Sequence, residues 1–276
     1  MTISLGPGPL QPGSLRTGPH TSTHEGPHEG PHEGPHDGPR KGRDTGRYTV
    51  RLAESAADVR AAQRLRHEVF AVEMGARLDS PLNGHDADRF DAYCDHLLVR
   101  EGDTVVGTYR LLPPGRSDRL YSETEFDLGA LKGLRGGLVE AGRTCVHPEH
   151  RGGAVVALMW AGIARYLADH GHTWLAGCCS VPLDDGGVVA AGVVDRVSLG
   201  PEEYRVTPRT PWRDAGVPRT DRFVLPPLLR GYLRLGAWIC GAPAYDPDFG
   251  TADFFVLLSL AETDPRYLRH FLGETR

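Results

Sequence analysis

Three kinds of chemically useful residue follow one another closely in the middle of the chain. Glu140 and Arg143 lie in an apolar stretch typical of a strand, and Arg151 opens a turn with Gly152 and Gly153. A helix that starts after this turn would present unpaired backbone N–H groups beside a cation, which suits a phosphate. A phosphate-binding turn next to a carboxylate that can act as a base predicts group transfer from a phosphate-bearing carrier. A turn without a ligand is the alternative.

Gly142 decides whether Glu140 and Arg143 can serve one cleft. Side chains alternate between the two faces of a regular strand, so residues three apart point to opposite sides. A glycine between them permits a bulge, which re-aims side chains and leaves a backbone N–H unpaired. We therefore predict a bulge here, with Glu140 and Arg143 as catalytic residues and Glu140 as the general base. The alternative is a structural ion pair between the two.

Hydrophobic periodicity predicts the elements that must position these groups. The central strand reaches Val146, and the helix after it ends at Gly171, a residue suited to a helix C-terminus. The other predicted elements are strands at 48–52, 96–99, 104–111, 173–181 and 204–207, helices at 56–72, 186–197, 227–235 and 266–272, a loop-rich segment at 113–136 and mixed loop and strand at 238–260. This order predicts an α/β (α+β) fold with a central curved mixed sheet flanked by helices.

Composition divides the chain into two parts. Residues 1–46 are rich in Gly, Pro and His and repeat a His-Glu-Gly-Pro unit, so we predict a disordered tail. Residues 47–276 have the composition of one folded domain. The tail histidines could gather a metal ion, but we favour a solvated tail because an unordered chain loses entropy when it forms a site. They are His24, His28, His32 and His36.

Charge and cysteine content argue against several functional classes. The net charge of −5 lacks the basic balance of a nucleic-acid-binding protein. The 5 cysteines have no C-x-x-C spacing, so we expect a reducing cytoplasm and no metal site. Cys178 and Cys179 could carry an acyl group, but buried packing is the favoured interpretation. No apolar run is long enough to span a membrane, and residues 1–10 lack the features of a secretory signal.

Three sets of residues resemble known acyltransferases. The first, Val146-x-Pro148-x-x-Arg151-Gly152, resembles the acyl-CoA loop of the GNAT superfamily. The second resembles acyl-homoserine-lactone synthases and comprises Arg66-x-x-x-Phe70, Asp88-x-x-Asp91, Arg110-Leu111-Leu112-Pro113 and Glu140-x-x-Arg143. The third is similar to the ornithine N-acyltransferases of ornithine-lipid synthesis and comprises segments 94–97, 107–112, 142–148, 177–181 and 246–254. Together the sets cover residues 47 to about 271.

The resemblance implies a donor and a reaction. An N-acyltransferase of this kind would move a (3-hydroxy)acyl chain from acyl carrier protein (ACP) to the α-amine of L-ornithine, forming lyso-ornithine lipid. Val156 stands where acetyl-CoA loops carry a small residue, which favours the single phosphodiester of ACP over the diphosphate of coenzyme A. We expect no cofactor besides this donor substrate. The expected phosphopantetheine-binding residues are Val146, Arg151, Gly152, Gly153 and Ala154.

The same resemblance implies an acceptor site. Arg66 and Arg110 are candidates for the α-carboxylate, because a guanidinium can bind a carboxylate through two bonds. Asp88 and Asp91 are candidates for the distal ammonium of ornithine. The alternative for all four residues is a buried ion-pair network that shapes this part of the domain.

Several partners and rival functions stay open. An acidic ACP would dock on basic side chains, and the amphipathic segment 226–238 would allow peripheral contact with the inner membrane face. The enzymatic rivals are N-acylation of another amino acid and acyl-homoserine-lactone synthesis, although Ala76 stands where the lactone synthases carry tryptophan. The non-enzymatic rival is an acyl-ACP or lipid-binding module. The candidate ACP-docking residues are Arg209, Arg213, Arg219, Arg222, Arg230 and Arg234.

Overall fold

A sheet of eight strands organises the described part of the chain, which in this computed structural model comprises residues 46–220, 223–263 and 266. The strands are β1 (Thr49–Leu52), β2 (Asp95–Glu101), β3 (Thr104–Leu112), β4 (Phe126–Asp127), β5 (Leu138–Val146), β6 (Trp174–Pro182), β7 (Thr207–Pro208), β8 (Trp238–Ile239), β9 (Ala244–Asp246) and β10 (Thr251–Ser259). The order is β1-β2-β3-β5-β6-β10-β8, β9 pairs with β10, and β4 pairs separately with β7. Only β5 and β6 are parallel among these pairs.

Helices cover both faces of the sheet, as expected for a mixed α/β domain. Leu97 and Val99 of β2 pack in the core that contains the buried side chains of the second, third and fourth α-helices, whereas Leu98 between them packs against the first α-helix. This alternation follows from the two-residue period of a strand. The α-helices are α1 (Ala56–His67), α2 (Ala154–Asp169), α3 (Val188–Arg196) and α4 (Pro227–Arg234), with α1 on one face and α2, α3 and α4 on the other.

The two central parallel strands separate soon after they pair. The register joins Leu138–Glu140 of β5 to Trp174–Ala176 of β6 and goes no further. Beyond Glu140 the strands diverge, so a cleft opens between them at the point where the candidate base lies. A cavity lies in this cleft.

The first helix ends earlier than the sequence pattern predicted. Ser55 caps its N-terminus by accepting a bond from the backbone N–H of Asp58. After His67 the chain continues as a π-helical turn, Glu68–Glu73, rather than as α-helix. Such turns often occur at functional sites. Here the turn directs Phe70 toward the cavity and Glu73 toward the start of α2.

Other predictions also differ from the structure. The loop-rich segment at 113–136 contains two 3₁₀ turns, Tyr121–Thr124 and Gly129–Leu134, besides β4. Of the strand expected at 204–207, only Thr207 lies in a strand, β7, while Tyr204 ends a 3₁₀ turn, Glu202–Tyr204. Further 3₁₀ turns span Asp91–Tyr93 and Pro148–His150. The tail at 1–46, apart from its last residue, and the helix at 266–272, apart from its first residue, lie outside the described residues.

Helix α4 does not offer the apolar face that suggested membrane contact. Leu228, Leu229 and Tyr232 are buried in the core of the domain, because the apolar side of α4 packs against the sheet. Arg230 and Arg234 are exposed on its other side. In the described part of the chain no helix is both long and apolar enough to cross a bilayer.

Candidate active site

A cavity lies in the cleft between β5 and β6. Its wall includes Glu140 and Arg143 from β5, Cys178 and Ser180 from β6, and Asp253 from β10. A wider outer mouth shares Phe90, Tyr121, Arg143, Asp246 and Phe249 with it. The candidate base and the candidate catalytic arginine therefore face the same enclosed space.

Glu140 is held by backbone N–H groups from the segment that precedes its strand. The N–H of Tyr121 donates to Oε2 at 2.6 Å, and the N–H of Ser122 donates to Oε1 at 2.7 Å. These are the first N–H groups of a 3₁₀ turn, which helical geometry leaves without a partner inside the turn. Burial raises the pKa of Glu140, and the bonds from Ser122 and Tyr121 only partly offset that rise. A carboxylate with a raised pKa suits proton abstraction.

The predicted bulge is present beside Glu140. In the β3–β5 ladder Thr108 pairs with Cys145 and Arg110 pairs with Gly142, so two residues of β5 oppose Tyr109 alone. The positive φ of 48° falls on Arg143 rather than on the glycine before it. Because the extra residue reverses the alternation of side chains, Glu140 and Arg143 line the same cavity. The bulge is confirmed, with its strain one residue later than expected.

The alternative of a Glu140–Arg143 ion pair is not what the structure shows. The bonds to Glu140 come from the backbone of residues 121 and 122. The guanidinium of Arg143 pairs with aspartates and lies over the rings of Tyr121 and Phe249, at 4.7 and 5.3 Å from their centroids. The two side chains therefore have separate supports.

Three arginines and three aspartates alternate in a closed ring of ion pairs beside the cavity. Each arginine contacts two of the aspartates, and each aspartate contacts two of the arginines. The formal charges of the ring therefore cancel. In order, the members of this charge ring are Asp86, Arg66, Asp91, Arg110, Asp88 and Arg143, which returns to Asp86.

Arg66 is the most enclosed member of the charge ring. Its side chain is 0% exposed, so its charge depends wholly on protein partners. Nε lies 2.9 Å from Oδ2 of Asp86, while Nη1 and Nη2 donate to the two oxygens of Asp91 at 3.0 and 2.7 Å. This two-bond geometry is the strongest that an arginine and a carboxylate form.

Arg110 and Arg143 complete the ring on the side of the cavity. Nη1 of Arg110 donates to Oδ1 of Asp88 at 2.7 Å and to Oδ1 of Asp91 at 2.9 Å. Nε of Arg143 lies 3.2 Å from Oδ2 of Asp86, and its Nη2 lies 3.7 Å from Oδ2 of Asp88. Both arginines also line the cavity. They can therefore bind a substrate anion while the aspartates hold them in place.

The charge ring changes the acidity of its aspartates. Burial would raise the pKa of Asp88, but the charges of Arg110 and Arg143 outweigh it and lower that pKa. Burial opposes the same effect at Asp91, where bonds to Arg66 and the charges of Arg66 and Arg110 hold the pKa far below its ordinary value. Both carboxyls are therefore ionised at neutral pH.

The four predicted acceptor-binding residues occupy different places. Arg110 lines the cavity, and Asp88 lines its outer mouth. Arg66 and Asp91 pair behind the cavity wall. This arrangement matches the ion-pair network that the sequence analysis gave as the alternative. Direct acceptor binding by Arg66 and Asp91 stays a prediction that the geometry does not favour.

The predicted donor loop forms a turn from Val146 to the start of α2. Gly153 has φ +94°, a conformation that side chains disfavour, and Ala154 is the first residue of α2. The first N–H groups of α2 have no partner within the helix, as at any helix start. Arg151, however, donates from Nη1 and Nη2 to both carboxylate oxygens of Glu73 at 2.6 Å, and its Nε bonds to the carbonyl of Val146 at 3.1 Å. A donor phosphate would therefore meet a cation that is already paired.

Some residues of the site were missed by the sequence analysis. Tyr121 and Ser122 lie in the segment predicted to be loop-rich, and Glu125 follows them at the end of the same turn. Asp86 lies in an acidic run from which only Asp88 and Asp91 were chosen. Cys178 and Cys179 are buried, and burial raises the pKa of both thiols, so packing rather than acyl transfer is the role that fits them.

Comparison with known proteins gives these features a family. Residues 65–161 match a family model described as an acetyltransferase (GNAT) domain. The chain is 37% identical over 251 residues to the L-ornithine N(alpha)-acyltransferase of Brucella abortus, covering 81% of this chain and 88% of that protein. It is also 37% identical over 245 residues to the protein of the same name from Rhizobium meliloti, covering 80% and 82% respectively.

The chain belongs to the L-ornithine N(alpha)-acyltransferase family. It is therefore an acyltransferase, and the sequence resemblance to this branch of the GNAT superfamily is confirmed. Its fold is also that of the AHL synthase LasI, with TM-score 0.51, 15% identity and coverage of 83% of this chain and 98% of that one. The N-acyl amino acid synthase FeeM from uncultured soil microbes has TM-score 0.50, 14% identity and coverage of 79% and 94%. The GNAT-like fold is confirmed.

Proposed function

We propose that the protein transfers a (3-hydroxy)acyl chain from acyl-ACP to the α-amine of L-ornithine and releases lyso-ornithine lipid. The observation that carries this proposal is a family relationship at 37% identity together with a cavity that holds both a buried base and two arginines. The N–C bond of the amide forms as the C–S bond of the thioester breaks. One proton of the α-ammonium goes to the base before attack, and a second leaves the nitrogen as the amide forms and passes to the carrier sulfur, which departs as a thiol.

Glu140 is the base in this mechanism. An α-amine is largely protonated near neutral pH and must lose a proton before it attacks a thioester. The Glu140 carboxylate faces the cavity and keeps its orientation through the two backbone bonds. It accepts the proton directly or through one water.

Arg110 and Arg143 bind the α-carboxylate of the acceptor. The bonds from Arg110 to its two aspartates both start at Nη1, which leaves the other edge of the guanidinium for a ligand in the cavity. Arg143 is stacked on Tyr121 and Phe249 and adds a second positive charge. In this role Arg66 and Asp91 position Arg110 rather than contact the substrate.

The bulge stabilises the developing negative charge of the thioester oxygen. A bulge leaves a backbone N–H outside the ladder, and such an N–H aimed at a reacting carbonyl lowers the barrier. The register shift between Thr108 and Arg110 interrupts the pairing of β5 with β3 at residues that include Arg143, and Arg143 lines the cavity. The carrier's phosphopantetheine then enters along the start of α2, where unpaired N–H groups suit a phosphate.

The arginines predicted to dock ACP differ in whether their charges are already paired. Arg219 is already paired with Asp195 and Asp214, so its charge is balanced. Arg209 donates to the carbonyl of Glu123 at 2.8 Å and stays exposed. Arg230 and Arg234 on α4 are exposed, and Arg222 lies outside the described residues. Docking through the exposed arginines, a cytoplasmic location and peripheral membrane contact remain predictions.

Two measurements test this function. Lipids extracted from cells that express the full chain should contain an N-acyl-ornithine that control cells lack. An acylated amine other than ornithine would show that ornithine is not the acceptor. The purified chain should then transfer acyl groups to ornithine faster from acyl-ACP than from acyl-CoA of the same length. Equal or faster transfer from acyl-CoA would show that acyl-ACP is not the preferred donor.

A further inference from the structure

A second group of acidic residues lies beside the cavity and has no role in the proposed mechanism. Oxygens of Glu125 and Asp253 and the sulfur of Cys178 all lie within 4.8 Å of one another. Asp253 is 3% exposed and forms part of the cavity wall. We call Glu125 and Asp253 the acidic pair.

The acidic pair lacks arginines like those that neutralise the aspartates of the charge ring. Neither carboxyl oxygen of Glu125 is exposed to solvent, and neither meets the geometry of a hydrogen bond to any described residue. Asp253 accepts one bond, from the hydroxyl of Thr251 at 2.7 Å. The thiol of Cys178 donates to the hydroxyl of Ser122 at 3.3 Å. Buried carboxyl groups normally have a hydrogen-bond partner. The Glu125 carboxyl is therefore placed where a cationic ligand could donate hydrogen bonds to it.

The acidic pair is separated from the base by a single side chain. Ser122 donates its backbone N–H to Glu140 and accepts the thiol proton of Cys178 through its hydroxyl. Strand pairing gives the same order, because Glu140 is in register with Ala176, two residues before Cys178, and Asp253 pairs with Ser180. A short molecule with an amine at Glu140 would therefore bring its other end toward Cys178 and Asp253, which line the same cavity and lie next to Glu125.

We propose that the acidic pair binds the distal ammonium of a diamino acid acceptor and thereby selects diamino acids over neutral ones. This inference rests on the proposed function, since it assumes that the α-amine lies at Glu140. Asp88 and Asp91 are poor candidates for this task, because their charges are already balanced by arginines. An ammonium in the acidic pair would supply hydrogen bonds to oxygens that now have none or one.

The test compares two acceptors that differ only in that ammonium. L-norvaline is ornithine without the distal amine, and both are offered to the purified full chain with one acyl-ACP. Glu125→Gln and Asp253→Asn should each lower kcat/KM for ornithine by about 10- to 100-fold, the range expected for a lost charge-assisted bond. They should leave kcat/KM for norvaline unchanged or raised, which also shows that the variants are folded.

A matched control removes one negative charge from the same turn. Glu123 lies two residues before Glu125, is partly exposed and pairs with Arg135. Glu123→Gln should keep the wild-type ratio of kcat/KM for ornithine to kcat/KM for norvaline. Dialysis against a chelator should also leave that ratio unchanged; its loss on chelation and recovery with added zinc would assign the three-residue cluster to a metal and overturn the proposal.

The outcomes separate this inference from the function beneath it. If wild-type protein acylates ornithine but Glu125→Gln and Asp253→Asn keep the wild-type preference, the acidic pair is not the ammonium site and the acyltransferase function stands. If wild-type protein acylates norvaline as well as ornithine, the selection itself is absent and the inference fails. If neither amino acid is acylated, the proposed function fails first.

Discussion

The charge ring and the acidic pair are two buried groups of carboxylates with opposite electrostatic surroundings. The aspartates of the ring face three arginines, and burial at Asp88 and Asp91 is outweighed by those cations, so that the pKa of each is lowered. In the acidic pair no described cation is within ion-pairing distance of Glu125, and burial together with Asp253 raises its pKa well above the ordinary value. A complete set of partners indicates a scaffold, and an incomplete one indicates a place for a ligand.

Removal of one arginine from the charge ring should have the largest effect on stability. Arg66→Met leaves Asp86 and Asp91 without their most enclosed partner, and an uncompensated buried charge costs about 3–5 kcal/mol. Urea unfolding should show this loss in the free energy of unfolding. Arg219→Met, which breaks an exposed pair with Asp195, should cost less than about 1 kcal/mol. Equal losses in the two variants would mean that the ring is not a special scaffold.

Removal of the charge from the acidic pair should have the opposite sign. Glu125→Gln replaces a carboxyl that repels Asp253 when ionised by an amide that stays neutral and can donate to Asp253, so the free energy of unfolding at neutral pH should rise by about 1–2 kcal/mol. Urea unfolding at pH 7.5 measures the change. A clear destabilisation would show that the Glu125 carboxyl already has a stabilising partner.

The pH dependence of stability should distinguish the two regions further. Because the folded pKa of Glu125 is raised, its stabilising contribution is present below the ordinary value of 4.5 and is lost as pH rises through the folded pKa. The advantage of Glu125→Gln over the wild type should therefore grow as pH rises above 4.5. The lowered pKa of Asp88 and Asp91 gives the reverse: their contribution is present above about 4 and is lost as pH falls. Both variant and wild type should share that acid loss, and melting temperatures from pH 3 to 8 would show it.

A smaller effect is expected at the ion pair of the donor loop. Glu73→Gln frees Arg151 for a donor phosphate, and the pair is partly exposed, so stability should change by less than about 1 kcal/mol. The KM for acyl-ACP should fall about two- to fivefold, because the cation no longer has a competing partner. A raised KM would mean that Glu73 is needed to hold Arg151 in its binding position.

Local patterns in the sequence were enough to predict the central part of the molecule. The strand, the glycine-bearing turn and the helix that follows were all readable from periodicity, and Gly142 between two charged residues indicated the bulge. The positive φ of Arg143 was not readable, since it depends on the pairing of β5 with Tyr109 of β3. Sequence spacing alone places a bulge to within about one residue.

Long-range contacts explain what the sequence did not reveal. Arg66 and Asp91 are 25 residues apart, and nothing local shows that they pair with each other rather than with a substrate. The acidic pair joins Glu125 and Asp253, which are far apart in the sequence and meet only in the folded chain. Helix α4 has the amphipathic pattern of a membrane-surface helix, but the same pattern serves a helix packed on the core, and only the fold distinguishes them.

The most direct test of the account is the pH dependence of kcat/KM for ornithine acylation by the purified full chain, measured for wild type beside Glu140→Gln. Because burial raises the pKa of Glu140, the wild-type profile should show an acidic limb above the ordinary value of 4.5. Glu140→Gln should lose that limb and at least about 100-fold of the rate at pH 7.5, while its melting temperature shows that the fold is retained. A variant that keeps the limb, or most of the rate, would contradict the assignment of Glu140 as the base.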